Sequence, residues 1–137
     1  MHPDLSRLSV LIVDDDADSR GFLREVLHAC GARVVEADNI PTARGYVGNL
    51  KFDMIVTDLA LPGEDGAMFL KWLRQQPPEK GGTAPVVAVT AYHEKYPPTE
   101  LGGWAAYFQK PIDPEELVKT IADLLNLPRS PADREKV

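Results

Sequence analysis

Four apolar runs, each ending in a polar residue, constrain this chain more than any other feature. Leu8-Ser9-Val10-Leu11-Ile12-Val13 runs into Asp14-Asp15-Asp16, and Phe52 to Thr57 runs into Asp58. Pro85 to Val89 runs into Thr90, and Ala105 to Gln109 runs into Lys110-Pro111. Short apolar, β-branched runs mark strands buried on both faces, as in parallel sheets covered by helices. Such strands share one edge at their carboxyl ends, and ligand crevices form there. Residues as far apart as Asp14 and Lys110 are therefore expected to converge. The converging groups are several carboxylates, one hydroxyl and one ammonium. Crowded carboxylates repel, so the site calls for a hard cation such as Mg²⁺. A lysine and a hydroxyl opposite a metal can hold a phosphoryl group.

The segments between these runs read as helices. Asp18 or Ser19 can cap one running to Cys30, with Phe22, Leu23, Val26, Leu27 and Cys30 inward and Gly31 at its end. Arg33 to Ala37 is the second strand, and Asn39 to Leu50 a helix with Pro41 in its first turn and Ala43, Val47 and Leu50 inward. Leu61-Pro62-Gly63-Glu64-Asp65-Gly66 is a turn-rich loop, and the helix after it carries Met68, Phe69, Trp72 and Leu73 at core spacing. Between His93 and Gly103, Pro97-Pro98 and Gly102-Gly103 leave room for only a turn or two of helix. Asp113-Pro114-Glu115-Glu116 is a helix start, and the helix is expected to bury Leu117, Val118, Ile121, Leu124 and Leu125 before Pro128 stops it. The expectation is an α/β, doubly wound, five-stranded parallel sheet with five helices. It spans residues 8–126, after an extension at 1–7 and before a disordered tail at 127–137.

Composition narrows the function classes. The chain has 137 residues, 44% hydrophobic and 26% charged, which suits one globular domain. Its net charge of −6 disfavours nucleic acid as a direct partner. Cys30 is the only cysteine, which excludes an internal disulfide and a cysteine-rich zinc site. No apolar stretch approaches the roughly 20 residues of a membrane span, and the N-terminus lacks a signal-peptide pattern, so a cytoplasmic location without membrane contact is expected.

Four segments resemble the receiver domains of two-component response regulators: Leu11 to Asp16, Asp53 to Gly66, Pro85 to Ala91, and Tyr107 to Pro111. The resemblance covers about residues 8 to 126. It implies the flavodoxin-like fold of the chemotaxis receiver, with strand order 2-1-3-4-5. It also implies roles. Asp58 would be the phospho-acceptor for a phosphohistidine of a sensor histidine kinase or histidine phosphotransfer protein. Asp15, Asp58 and the Ala60 backbone carbonyl would hold Mg²⁺, or Mn²⁺ in its place, with Asp14 acting through a metal-bound water. Lys110 would pair with Asp58 and then with the phosphoryl group, and the Thr90 hydroxyl would move to bond it. Tyr107 would be the aromatic switch. Pro62, Gly63, Gly66, Ala91 and Pro111 would shape the surrounding loops, Pro111 through a cis peptide. A downstream target protein, and possible homodimers, would read the face built from the fourth helix, fifth strand and last helix. Two departures from the family pattern stand out. Ala60 is smaller than its usual counterparts, leaving Tyr92 to shield the site, and the segment at 93–103 is rich in proline and glycine.

Each landmark alone has an ordinary structural explanation. Asp14 to Asp16 could be turn and cap chemistry, Asp58 a strand-ending turn residue, Thr90 a β-former and Lys110 a surface lysine. Their joint placement on one sheet edge is what those explanations do not supply. Asp16, Asp18, Asp65 and Gly66 are read as structural. Tyr107 stays open between switch and core aromatic, and Trp104 between loop anchor and partner contact. His2, His28 and His93 show no ligand spacing. The favoured reading is a stand-alone regulator without an output domain. The alternative is a receiver cut from a hybrid kinase or multidomain regulator. A haloacid-dehalogenase-type phosphatase is disfavoured because Ala17 and Asp18 follow Asp16, and a degenerate binding module because every required side chain is present.

Overall fold

The β-branched runs become the strands of one parallel sheet in a computed structural model that describes residues 4–91 and 103–127. In chain order the elements are β1 (Ser9–Val13), α1 (Ala17–Ala29), β2 (Arg33–Ala37), α2 (Ile40–Asn49) and β3 (Met54–Asp58). They continue with α3 (Gly66–Arg74), a 3₁₀ turn (Pro78–Lys80), β4 (Val86–Thr90), β5 (Ala106–Gln109) and α4 (Pro114–Leu124). The strand order is β2-β1-β3-β4-β5, as expected, with every neighbouring pair parallel. The described residues contain four α-helices rather than five. The fifth was expected at 93–103, which lies outside the described residues except for Gly103, as does Tyr92. The tail beyond residue 127 lies outside them too.

Alternation along the strands sends side chains to two cores. Val10 and Ile12 of β1, Met54 and Val56 of β3, and Val87 and Val89 of β4 pack with Leu23 and Leu27 of α1 and Leu117, Val118 and Ile121 of α4. Leu11 and Val13, Ile55, and Val86 face the other way, onto Ile40, Ala43 and Val47 of α2 and Phe69, Leu70 and Leu73 of α3. Each face buries a continuous apolar layer, the largest favourable contribution to this fold. Leu5, ahead of the expected domain start, is fully buried in the first core, and its N–H donates to the Cys30 carbonyl at 2.8 Å.

The helices differ from expectation in cap and phase. Asp16, not Asp18 or Ser19, is the N-cap of α1, its side chain accepting from the Asp18 N–H. Asn39, Asp65 and Asp113 cap α2, α3 and α4 in the same manner. Four residues expected inside are exposed: Phe22 (41%), Leu50 (47%), Met68 (54%) and Leu124 (36%). In α1 and its C-cap the buried stripe is Leu23, Leu27 and Cys30, spaced i, i+4, i+7, and Phe22 falls off its edge. In α3 the stripe is Gly66, Phe69, Leu70 and Leu73, which turns Met68 outward. In α4 it is Leu117, Val118, Ile121 and Ala122. Leu50 is the C-cap of α2 in extended backbone and so leaves the helical face. Trp104 is half-buried and packs against the second core, the contact a loop anchor makes.

Candidate functional site

Strand register brings the polar ends together. Val13 is level with Thr57, so Asp14 follows β1 beside Asp58 at the end of β3. Asp58 is level with Val89, one residue before Thr90, and Thr90 is level with Gln109, one residue before Lys110. The Lys110 N–H donates to the Thr90 carbonyl at 2.9 Å, prolonging the β4–β5 ladder by one rung and aiming the lysine across the edge. The Lys110-Pro111 peptide is cis.

The Lys110 ammonium donates to Asp58 Oδ2 and to Asp14 Oδ2, both at 2.8 Å. Asp14 is fully buried, Asp58 nearly so, and the Lys110 side chain is 18% exposed. The Ala60 N–H donates to Asp58 Oδ1 at 3.0 Å, and the Asp16 N–H to Asp14 Oδ1 at 2.9 Å. Charged hydrogen bonds of this length in a partly desolvated site are strong and directional. Burial pushes the Asp58 carboxyl above its ordinary range. The hydrogen bond from Lys110, the Ala60 N–H and the lysine charge pull it down without cancelling the rise, and the Asp14 charge adds to it. Burial pulls Lys110 down, but its hydrogen bonds to Asp14 and Asp58 and their charges together outweigh that and raise the ammonium.

Asp14, Asp15 and Asp58 each offer a carboxylate oxygen, and the three oxygens lie within 4.8 Å of one another. Three hard oxygen donors of like charge, with one cation among them, suit Mg²⁺ better than any soft metal. Asp15 is solvent-exposed, giving the cluster an open side. Thr90 is fully buried at the end of β4. Ala91, Lys110 and Pro111 line an open cavity of about 540 Å³ with Asp16, Asp18, Ser19, Phe22 and Ile112. Gly66 starts α3 so close to β3 that a Cβ there would stand 2.6 Å from the Asp58 carbonyl. Pro62 and Gly63 lie exposed in the loop between. Tyr107 sits on β5 level with Ala88, half-buried, and burial raises its phenol.

Two features escaped the sequence reading. Lys110 bridges two carboxylates rather than pairing with Asp58 alone. Arg20, one turn into α1, donates to the Asp14 carbonyl at 2.9 Å and pairs with Glu36. The signal was an arginine one helical turn past a cap, too common a pattern to single out.

The sequence profile described as the response regulator receiver domain matches residues 10–122. The chain belongs to that family. The receiver is 35% identical over 119 residues to a 14.6 kDa protein of the sodA1 3′ region in Leptolyngbya boryana, covering 85% of this chain and 89% of that protein. It is 32% identical over 115 residues to the sensor histidine kinase GacS of Pseudomonas protegens, covering 82% of this chain but only 12% of that kinase. A high-resolution structure of the chemotaxis response regulator CheY4 of Vibrio cholerae superposes with a TM-score of 0.75 at 28% identity, over 85% of this receiver and 98% of CheY4. Receivers of this family act in two-component signal transduction, interact with histidine kinases or phosphotransfer proteins, and bind Mg²⁺ in their acidic site. No helix among the described residues is long and apolar enough to cross a membrane.

Proposed function

We propose that this receiver is a phosphorylation switch whose acceptor is Asp58. The observation that carries the reading is Lys110, placed 2.8 Å from both Asp58 and Asp14 inside a three-carboxylate cluster. An Asp58 oxygen attacks the phosphorus of a phosphohistidine on a kinase or histidine phosphotransfer protein. The P–N bond breaks, imidazole leaves, and an acyl phosphate forms on Asp58. Asp15, Asp58 and the Ala60 carbonyl would hold Mg²⁺ directly, and Asp14 would act through a water. Bound Mg²⁺ supplies charge neutralisation for the carboxylates and the phosphoryl oxygens.

Lys110 gives up its bond to Asp58 and meets a phosphoryl oxygen in its place, and the Thr90 hydroxyl meets another. The small side chain of Ala91 leaves room for the group. The phosphoryl adds roughly two negative charges to an edge already rich in carboxylates. The Thr90 movement and Tyr107 on β5 carry that change to the surface a target protein reads. The open cavity beside Lys110, with Phe22 exposed on its wall, suits an apolar surface of the donor protein. The unit proposed to switch is residues 8–126, with Leu5 from the preceding segment packed into its first core.

Intact mass after incubation with Mg²⁺ and acetyl phosphate tests this. A single phosphoryl adduct is expected, absent with EDTA and absent in Asp58→Asn. An adduct persisting in Asp58→Asn would refute the assignment. A second reading puts the same switch inside a longer protein, in keeping with the match to 12% of GacS. It leaves the chemistry at Asp58 unchanged.

A further inference from the structure

We propose that Arg44 and Glu64 form a latch that fixes the loop between β3 and α3, and with it the Ala60 carbonyl, where metal binding needs it. The inference rests on the proposed function in that it takes this carbonyl as a Mg²⁺ ligand.

The loop leaves β3 at Asp58 and reaches α3 at Gly66. Its ends are held by local hydrogen bonds: the Gly66 N–H donates to the Leu59 carbonyl at 2.9 Å, and the Asp65 side chain caps α3 by accepting from the Met68 N–H at 2.9 Å. Its apex, Pro62 and Gly63, is exposed, and Gly63 has φ +79°. Glu64, just past that apex, is gripped from a different element. The two terminal nitrogens of Arg44, on α2, donate to its two carboxylate oxygens at 3.1 and 2.6 Å. Side chains only 32% and 26% exposed make this pair less screened than an ordinary surface one. A bidentate fork fixes orientation as well as distance, which a lysine would not do.

The latch is itself anchored. The Arg44 guanidinium carbon lies 5.4 Å from the centre of the Trp72 ring, and Trp72 stacks on the fully buried Phe69 with centroids 6.0 Å apart. A path of contacts therefore runs from the core through Phe69, Trp72 and Arg44 to Glu64, four residues from Ala60. Mg²⁺ demands near-ideal octahedral geometry, so a carbonyl displaced by a loose loop is a poor ligand.

Calorimetric titration with Mg²⁺ alone, without phosphodonor, tests the latch. Arg44→Gln and Glu64→Gln are each expected to weaken Mg²⁺ binding severalfold, less than the roughly 10–100-fold lost when a direct partner of a metal ligand is removed. The double variant is expected to be no weaker than either single one. Simple charge effects give a different pattern, since removing a nearby cation should tighten Mg²⁺ and removing a nearby anion should loosen it. Arg44→Lys, which keeps the charge and loses the fork, is also expected to weaken binding and serves if a glutamine variant fails to fold. Opposite shifts in the two single variants, or wild-type affinity in Arg44→Lys, would overturn the latch while leaving the Asp58 chemistry standing. A wild-type receiver that binds no Mg²⁺ would overturn the metal site and the latch with it.

Discussion

Lys110 is the residue on which the site's electrostatics turn. It stands between two buried carboxylates, and removing it leaves both charges unpaired. Breaking a largely buried pair from one side is expensive, so Lys110→Met is expected to destabilise the receiver by about 2–4 kcal/mol in urea denaturation at neutral pH. It should also abolish the phosphoryl adduct. Asp58 has the opposite thermodynamic sign. Its folded carboxyl is raised above the ordinary 3.8 by burial, so between that value and its folded value the native state holds more protons than the unfolded one. The stability Asp58 contributes is thus present below pH 3.8 and lost as pH rises through the folded value. The stability of Asp58→Asn minus that of wild type should therefore increase as pH rises above 3.8 in EDTA. A flat difference over that range would contradict the assigned burial effect. For Lys110, raised above 10.5 in the folded state, the stabilisation is full below that pH and lost in stronger alkali.

Between β3 and α3, the close approach at Gly66 sets how Asp58 is presented. A Cβ at residue 66 would press on the Asp58 carbonyl and on Leu59, so Gly66→Ala must push α3 or β3 aside. The expected loss is about 1–3 kcal/mol, together with slower phosphorylation by acetyl phosphate because the acceptor shifts. Asp113→Ala at the α4 cap should instead lose about 1 kcal/mol with the phosphorylation rate unchanged, since that cap serves only its own helix. The elements were legible in the sequence where local chemistry decides them: the apolar strand runs, the Asp113-Pro114 start, the Gly31 stop. Helix phase was less legible. Phe22, Leu23, Val26, Leu27 and Cys30 span an arc wider than one face, and only packing against the sheet decides that Leu23 and Leu27 go in and Phe22 stays out. Asp16 outcompeted Asp18 as a cap because the helix begins one residue after it, a boundary that the run of aspartates leaves open.

Taken whole, the receiver is a two-layered core that exists to align one sheet edge. The edge itself could be read from sequence because parallel strands must end together. That Lys110 meets Asp58 was implied by the family resemblance; that it also meets Asp14, 96 positions away, was not, because register levels the strand ends but a rotamer carries the ammonium to the second carboxylate. The same alignment explains why single-residue changes far apart in sequence should behave as one site. Lys110→Met, Thr90→Ala and Asp14→Asn are expected to be strongly non-additive in phosphorylation rate, since each disables the same constellation. The most direct test of the central claim is borohydride trapping. The receiver is incubated with Mg²⁺ and acetyl phosphate and reduced, so that an aspartyl phosphate becomes homoserine, and its peptides are then sequenced by mass. The account predicts homoserine at position 58 alone, and only when Mg²⁺ is present. Homoserine at position 14, 15 or 65, or at 58 without metal, would contradict it.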